Sequence, residues 1–456
     1  MRQKLNIYIR GIALSLLFAF VACNKFLDVQ SNSGLEVPNS LESFQKLLDA
    51  SGFINMNLCS YGEISADDYF LEENTVNRLS NVFRPFYYWE GFSYFYGNDW
   101  ATAYIPVYTA NLVLDKLGDI ERTPENALEW DRIKGSALFY RSTQFLSLVW
   151  TFAHVYDESS ASEDLGIVLR KTSNPNVPSE RASVAECYGQ ILHDFKEALA
   201  LLPEKADHVM RPSKTACLAS LARTYLSMSE FDSAYVYADR ALAIENALLD
   251  FNDLADVAVD AAIPFTRFNK ETLAYFELIS SNPQLHFNNL LVDTTLYSLY
   301  EDIDLRLKAY FVKNNNGYAS FKGSYTGDQR LFGGLATNEL FLIRAECLAR
   351  LERPAEALAD LNRLLSKRYK KDLFVPYSSV DGKELVELIL TERRKELVFR
   401  GLRWIDIKRL NKEGHNIVLK RNVGSKEYTL LPNENRYALP LPEDIIRQTG
   451  MPQNPR

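Results

Sequence analysis

Hydrophobic positions recur every three to four residues over most of this chain, the spacing that gives an α-helix one apolar face. Residues 40–50 put Leu41, Phe44, Leu47 and Leu48 on one side, and residues 134–156 predict one long apolar-rich helix, KGSALFYRSTQFLSLVWTFAHVY. A helix starting at Lys383 aligns Leu385, Ile389, Glu392, Glu396 and Phe399 in a single stripe, with two carboxylates inside an apolar face. A bare buried carboxylate is costly, so each glutamate needs a positive partner in the core. Arg393, Arg400, Arg403 and Arg409 stand close by in sequence, and Gly401 marks a helix stop before a second amphipathic segment carrying Trp404, Ile407 and Leu410. Two carboxylates one turn apart among so many guanidiniums both stay ionised. Structural ion pairs of Glu392, Glu396, Arg393 and Arg403 are therefore expected in place of acid–base chemistry.

The rhythm breaks twice, over residues 51–100 and 251–334. Pro264, Asn282, Pro283 and the Asn-Asn-Asn-Gly run at 314–317 are turn chemistry. Residues 83–100, FRPFYYWEGFSYFYGNDW, hold too many aromatic rings for all to point inward from so short a piece. Exposed rings suit sugars, because the apolar C–H face of a pyranose stacks on them while its hydroxyls bond to amides, carboxylates or guanidiniums at the edge. Trp89, Tyr94, Tyr96 and Asn98, with Tyr318 and Tyr325 from the second irregular stretch, are the candidate glycan-binding residues. The two stretches are expected to meet in a shallow aromatic site. Asp67 and Asp68 read as turn or cap residues, with a cation or a sugar hydroxyl as the alternative.

Laying Ala234 over Ala357 also brings Ala222 over Ala345, Tyr225 over Leu348, Met228 over Leu351 and Leu242 over Leu365. Small residues recurring where two helices touch are similar to the tetratricopeptide pattern. The fold class is therefore all-α: tetratricopeptide-like helical hairpins over about 101–250 and 335–413, a loop-rich insertion, little strand and an extended tail at 414–456. At the start, Arg2, Lys4 and Arg10 precede an apolar run over 11–22 of signal-peptide length, too short to span a membrane. That predicts a signal peptide at 1–22 and a single domain at 23–456.

The chain has 456 residues, 47% of them hydrophobic, enough for a large core, and its net charge of -8 argues against a nucleic-acid partner. Cys59, Cys187, Cys217 and Cys347 allow two disulfides by number, yet three lie in helical patterns where buried thiols fit as well. The five histidines lack zinc spacing, and no nucleotide-binding or hydrolase motif appears, so no metal, cofactor or catalytic residue is assigned.

The segment around Gly401 carries the most specific likeness. Glu392, Arg393, Arg394, Glu396, Leu397, Phe399, Gly401, Arg403, Trp404, Asp406 and Arg409 resemble the signature of the SusD/RagB family, with Arg400 where that family usually has Glu. Further matches are Phe20-Val21-Ala22-Cys23, similar to a bacterial lipobox, Asn111 to Asp115, Arg141, Asp304 with Arg306, and the tail residues Pro440, Pro442, Glu443, Gln453, Asn454 and Pro455. Ser136 replaces a usual Glu. The resemblance implies a lipoprotein acylated at Cys23 and held on the outer membrane, its loops binding an oligosaccharide for delivery to a SusC-like TonB-dependent β-barrel transporter. It also implies that Asp304 and Arg306 are structural. A peptide-binding lipoprotein and a surface glycoside hydrolase are the alternatives.

Overall fold

Small side chains set how closely the helices approach. Ala222, Ala234, Ala345 and Ala357 are all fully buried, and they lie on two successive hairpins. The main helices are α1 (Leu41–Leu48), α2 (Asp99–Leu117), α3 (Ala127–Phe152), α4 (Val184–Leu201), α5 (Lys214–Ser227), α6 (Phe231–Ile244), α7 (Thr337–Arg350), α8 (Pro354–Leu365), α9 (Gly382–Glu396), α10 (Arg403–Lys412) and α11 (Glu443–Thr449). From α2 to α8 each packs on the next, and α9 packs on α7 and α8. The α5–α6 and α7–α8 hairpins repeat down to their turns. Ser229 and Glu352 both adopt positive φ, and the next amide in each, Glu230 or Arg353, donates to the carbonyl of Tyr225 or Leu348.

The computed structural model describes residues 38–90, 94, 95, 97–380 and 382–456. The signal peptide, Cys23 and Tyr96 fall outside them. Ser40–Arg456 form one compact unit. No helix among the described residues is long and apolar enough to cross a membrane, and the four described cysteines are free and buried.

Polar side chains fix where helices begin and end. Ser40 and Ser183 make reciprocal capping boxes with Ser43 and Glu186, each cap contributing about 1 kcal/mol. The helix expected over 134–156 starts earlier, at Ala127, and stops at Phe152. There the buried Lys408 ammonium donates to the carbonyls of Trp150 and Ala153, filling the helix end.

Strands are short and antiparallel: β1 (Tyr69–Phe70) with β5 (Leu291–Val292), β2 (Leu165–Val168) with β3 (Arg181–Ser183), β4 (Thr272–Ala274) with β8 (Leu335–Ala336), β6 (Phe311–Lys313) with β7 (Ala319–Phe321), and β9 (Leu419–Val423) with β10 (Lys426–Leu430). The β9–β10 hairpin and α11 correct the expectation of an extended tail. Gly424, at φ +58, makes the turn that the alternation on either side required.

The two stripe glutamates are buried, and their partners come from far along the chain. Glu396 accepts from Arg368 at 2.8 Å, from Arg306 at 3.1 Å and from Asn338 at 2.8 Å. Glu392 accepts from Arg306 at 2.5 Å and from Lys395 at 2.8 Å. Asp304 holds Arg306 through two bonds, and Glu271 holds Arg368 at 2.7 Å. Burial opposes ionisation of Glu396, but Arg368 and Arg306 outweigh it and hold the carboxyl below its usual range. The neighbouring arginines, expected as partners, pair elsewhere: Arg393 with Asp406 at 2.9 Å, Arg394 with Asp68 at 2.9 Å, Arg403 with Asp67 at 2.6 Å, and Arg409 with Glu346 at 2.6 Å. An arginine takes the carboxylate its fork can meet squarely, and for these four the carboxylate comes from another part of the chain. Asp67 and Asp68 thus serve as ion-pair anchors, which corrects the turn or cap reading.

Arg306 lies in the loop-rich segment, Arg368 follows α8, and both glutamates are on α9, so this knot fastens three parts of the chain. Glu396→Gln leaves two buried guanidiniums short of charge and is expected to cost about 3–5 kcal/mol. Urea unfolding checks this, and a loss indistinguishable from that of an exposed substitution would contradict the role.

Candidate functional site

Most of the aromatics singled out from sequence are packing groups. Trp89 is fully buried at positive φ, and its Nε1 donates to the Ser65 carbonyl at 2.9 Å. Tyr94 is buried against Tyr61 and Phe86, its hydroxyl donating to the Pro440 carbonyl. Asn98 caps α2, accepting from the Ala101 amide at 2.9 Å. Tyr325 is buried among Phe265 and Phe332 and donates to Glu271 at 2.6 Å. The three rings contradict the expected exposure for one reason: backbone carbonyls or a carboxylate inside the fold satisfy their polar edges, so they lose little by burial; Asn98 is spent on the helix cap. The Arg421 guanidinium, 4.6 Å from the Tyr87 ring and 5.5 Å from Trp89, completes that packing.

The two irregular stretches do meet, first in a buried polar joint. Asp99 accepts from the amides of Ser60 and Tyr61 at 2.5 and 2.8 Å and from Asn282 at 3.2 Å, while Gln284 donates to the Phe83 carbonyl at 2.7 Å. Burial pushes Asp99 up to about 6 despite those bonds.

They meet again at the surface, where a shallow aromatic face forms. Tyr69 of β1 points inward and Phe70 outward, following the strand alternation. Phe70 meets Tyr318 edge to face at 5.2 Å, and Tyr318 remains 39% exposed. Tyr318 is presented by the tip between β6 and β7, where the Asn314 side chain accepts from the amides of Asn316 and Tyr318 at 3.0 Å each. Asn316 in turn donates to Glu72 at 3.2 Å. The tip of the β9–β10 hairpin leans on Glu73: a Cβ on Gly424 would sit 2.7 Å from the Glu73 carboxylate. That hairpin stacks Tyr428 on Tyr88, with centroids 4.1 Å apart and planes within 7°. Lys426 covers the Tyr428 ring at 4.0 Å and lies 3.6 Å from Glu90. The face therefore offers half-buried or exposed rings edged by exposed Glu72, Glu73, Glu90, Asn316 and Lys426. Of the sequence candidates among the described residues, only Tyr318 is on it. Phe70 and Tyr428 were missed, and the alternation of short strands is the one signal that marked them as outward.

A second recess of about 280 Å³ opens beside α2, lined by Trp100, Tyr104 and Tyr108 at four-residue spacing. Apart from the exposed Tyr108, its polar groups are largely committed. Tyr104 donates to the Val168 carbonyl at 2.6 Å, and Thr172 and Ser173 are bonded to Asp115. It has less to offer a sugar hydroxyl than the shallow face. Among the described residues, no group of three His, Cys, Asp or Glu is placed to hold a metal ion.

A superhelix of hairpins that pins irregular loops and leaves rings and carboxylates at their tips defines a helical ligand-binding scaffold. Family descriptions match it in two parts: SusD-like proteins, described as starch-binding and associating with the outer membrane, over residues 25–226, and the SusD family over residues 313–456. The chain belongs to the SusD/RagB family. It is similar to the SusD-like protein P2 of Formosa agariphila, at 25% identity over 421 residues, covering 78% of this chain and 79% of that protein. The fold matches that of a SusD superfamily protein from Bacteroides thetaiotaomicron, with a TM-score of 0.73 at 22% identity, over 91% of this chain and 100% of that one. It also matches a laminarin-binding SusD-like protein, with a TM-score of 0.64 at 16% identity, over 92% and 100% of the two chains.

One buried acid couples the loops to the helices through a proton. Glu63 accepts from the Gly401 amide at 2.8 Å, and its other oxygen has no partner among the described residues. Burial, reinforced by Asp68, pushes its carboxyl from 4.5 up to about 8. Between those values the unfolded chain releases this proton while the folded chain keeps it, so the native state loses stability as pH rises through the window. Glu63→Gln removes that dependence. Its stability relative to the parent is expected to climb from pH 4.5 to 8 in urea titrations, and a flat or falling difference would contradict the assignment.

Proposed function

We propose that this chain is an outer-membrane lipoprotein, acylated at Cys23, that captures an oligosaccharide on the face built by Phe70, Tyr318, Tyr88 and Tyr428 and delivers it to a TonB-dependent β-barrel transporter. The observation that carries the reading is the outward aromatic pair Phe70–Tyr318 beside the Tyr88–Tyr428 stack, edged by exposed carboxylates and an amide. Flat rings take the C–H face of a pyranose, and edge groups take its hydroxyls. A shallow surface suits a chain of sugars passing across it, with many weak contacts in place of one deep pocket. Starch binding in the family description and laminarin binding by a protein of the same fold support carbohydrate as the ligand class.

The role is binding without bond cleavage. Arg306, Arg368, Arg393 and Arg409 hold Glu396, Asp304, Asp406 and Glu346 below the usual carboxylate range despite burial. None of these acids stands ready to donate a proton to a leaving group, and Glu63 and Asp99, whose carboxyls burial raises, lie inside the fold against backbone amides. Export and tethering fit a protein that meets polymeric nutrient outside the cell, and a lipid on Cys23 would hold it there without a spanning helix.

Affinity gels cast with laminarin, starch and other polysaccharides test the site. Tyr318→Ala and Tyr428→Ala are each expected to weaken retention about fivefold, the equivalent of about 1 kcal/mol of stacking. Tyr94→Phe and Tyr325→Phe keep the buried ring and are expected to leave retention unchanged. Parent-like retention in both alanine variants would remove the face from the site. Failure of the parent to bind any glycan, with peptides bound in a parallel titration, would replace the ligand class.

A further inference from the structure

Arg400 stands apart from its neighbours. Arg393, Arg394, Arg403 and Arg409 each meet a carboxylate, whereas Arg400 forms no ion pair among the described residues. It is only 6% exposed. Its guanidinium lies against the rings of Tyr325 and Phe332 at 4.6 and 4.5 Å, and its Nε and Nη2 have no hydrogen-bond partner among the described residues. Arg421, another buried arginine packed on rings, gives two of its nitrogens to the carbonyls of Tyr69 and Ala66. The nearest acid behind Tyr325, Glu271, already holds Arg368. Two aromatic faces supply a fraction of what an ion loses on leaving water.

Beside Arg400 is a small cavity of about 40 Å³. Its wall is mostly apolar, with Leu58, Phe276 and Leu278 among the lining, and its polar groups include Ser147 and Ser220 of α3 and α5, with Arg223 as a second guanidinium. Arg223 is itself matched by Glu339 at 2.8 Å, so the uncompensated charge on this cavity is that of Arg400. The space admits about three water-sized spheres, enough for a halide.

We propose that this cavity is a binding site for a small monovalent anion, chloride in size and charge, which neutralises Arg400 and accepts from the hydroxyls of Ser147 and Ser220. The site lies where the loop-rich layer carrying Leu58 and Leu278 rests on the helices, so the anion acts as a staple between the two. This site is separate from the aromatic face and does not depend on what that face binds.

Thermal unfolding of the full chain in sodium chloride, bromide and gluconate at matched ionic strength tests the site. The parent is expected to melt about 1–2 °C higher in either halide than in gluconate. Arg400→Met, which keeps bulk and removes charge, is expected to melt alike in all three salts. Equal melting of the parent in the three salts, meaning a cavity that holds only water, would overturn the proposal, as would a halide response retained by Arg400→Met. Should that variant fail to fold, crystals of the parent grown in bromide decide the matter. An anomalous peak beside Arg400 is expected, and its absence there would refute the site.

Discussion

The buried network joining Arg306 and Arg368 to Glu392, Glu396, Asp304 and Glu271 is the constraint on which the rest of the fold depends. Such a cluster is weak evidence for net stability, because desolvating the charges offsets most of their attraction. What it supplies here is position. Each guanidinium is a rigid fork whose donors fit only one arrangement of carboxylates, and these carboxylates come from α9, the approach to β4 and the segment before residue 306. Once the charges are matched, the irregular chain from 251 to 334 has one place to sit on the helices.

That placement makes the surface. Tyr310 and Tyr325, within the same segment, turn inward to pack around the network, while the tip between β6 and β7 projects outward with Tyr318. The Asp67 and Asp68 pairs with Arg403 and Arg394 do the same for the strand carrying Phe70. Phe70 is therefore set by ionic contacts at Asp68 and Asp67 just before it, and Tyr318 by those at Arg306 and Asp304 about a dozen residues before it. A shallow face built on rigid tips loses little order when ligand binds, which favours affinity from weak contacts.

Much of the frame was legible in the sequence. The repeat of small residues marked both hairpins, since only alanine-sized side chains allow helices to touch there, and the stripe through Glu392 and Glu396 announced buried charge. Which arginines answered was not legible, because Arg306 and Arg368 are adjacent to the stripe only after folding. The aromatic segment misled for a related reason. Composition shows how many rings there are, whereas their direction depends on carbonyls such as those of Ser65 and Pro440, which the fold brings to Trp89 and Tyr94 from elsewhere. Tyr428 lies in a tail whose turn at Gly424 was read as extended chain, so its pairing with Tyr88 was out of view.

The central claim, that the ionic network makes the irregular segment and the helices one cooperative unit, is tested most directly by native-state hydrogen exchange. The amides of Phe251, Leu305 and Lys370 donate to the carbonyls of Lys367, Arg368 and Ile303, all at 2.9 Å, around the network. They are predicted to exchange only through global unfolding, with the same free energy as amides in the middle of α7. Exchange of these three through a local opening, while α7 stays protected, would contradict the account.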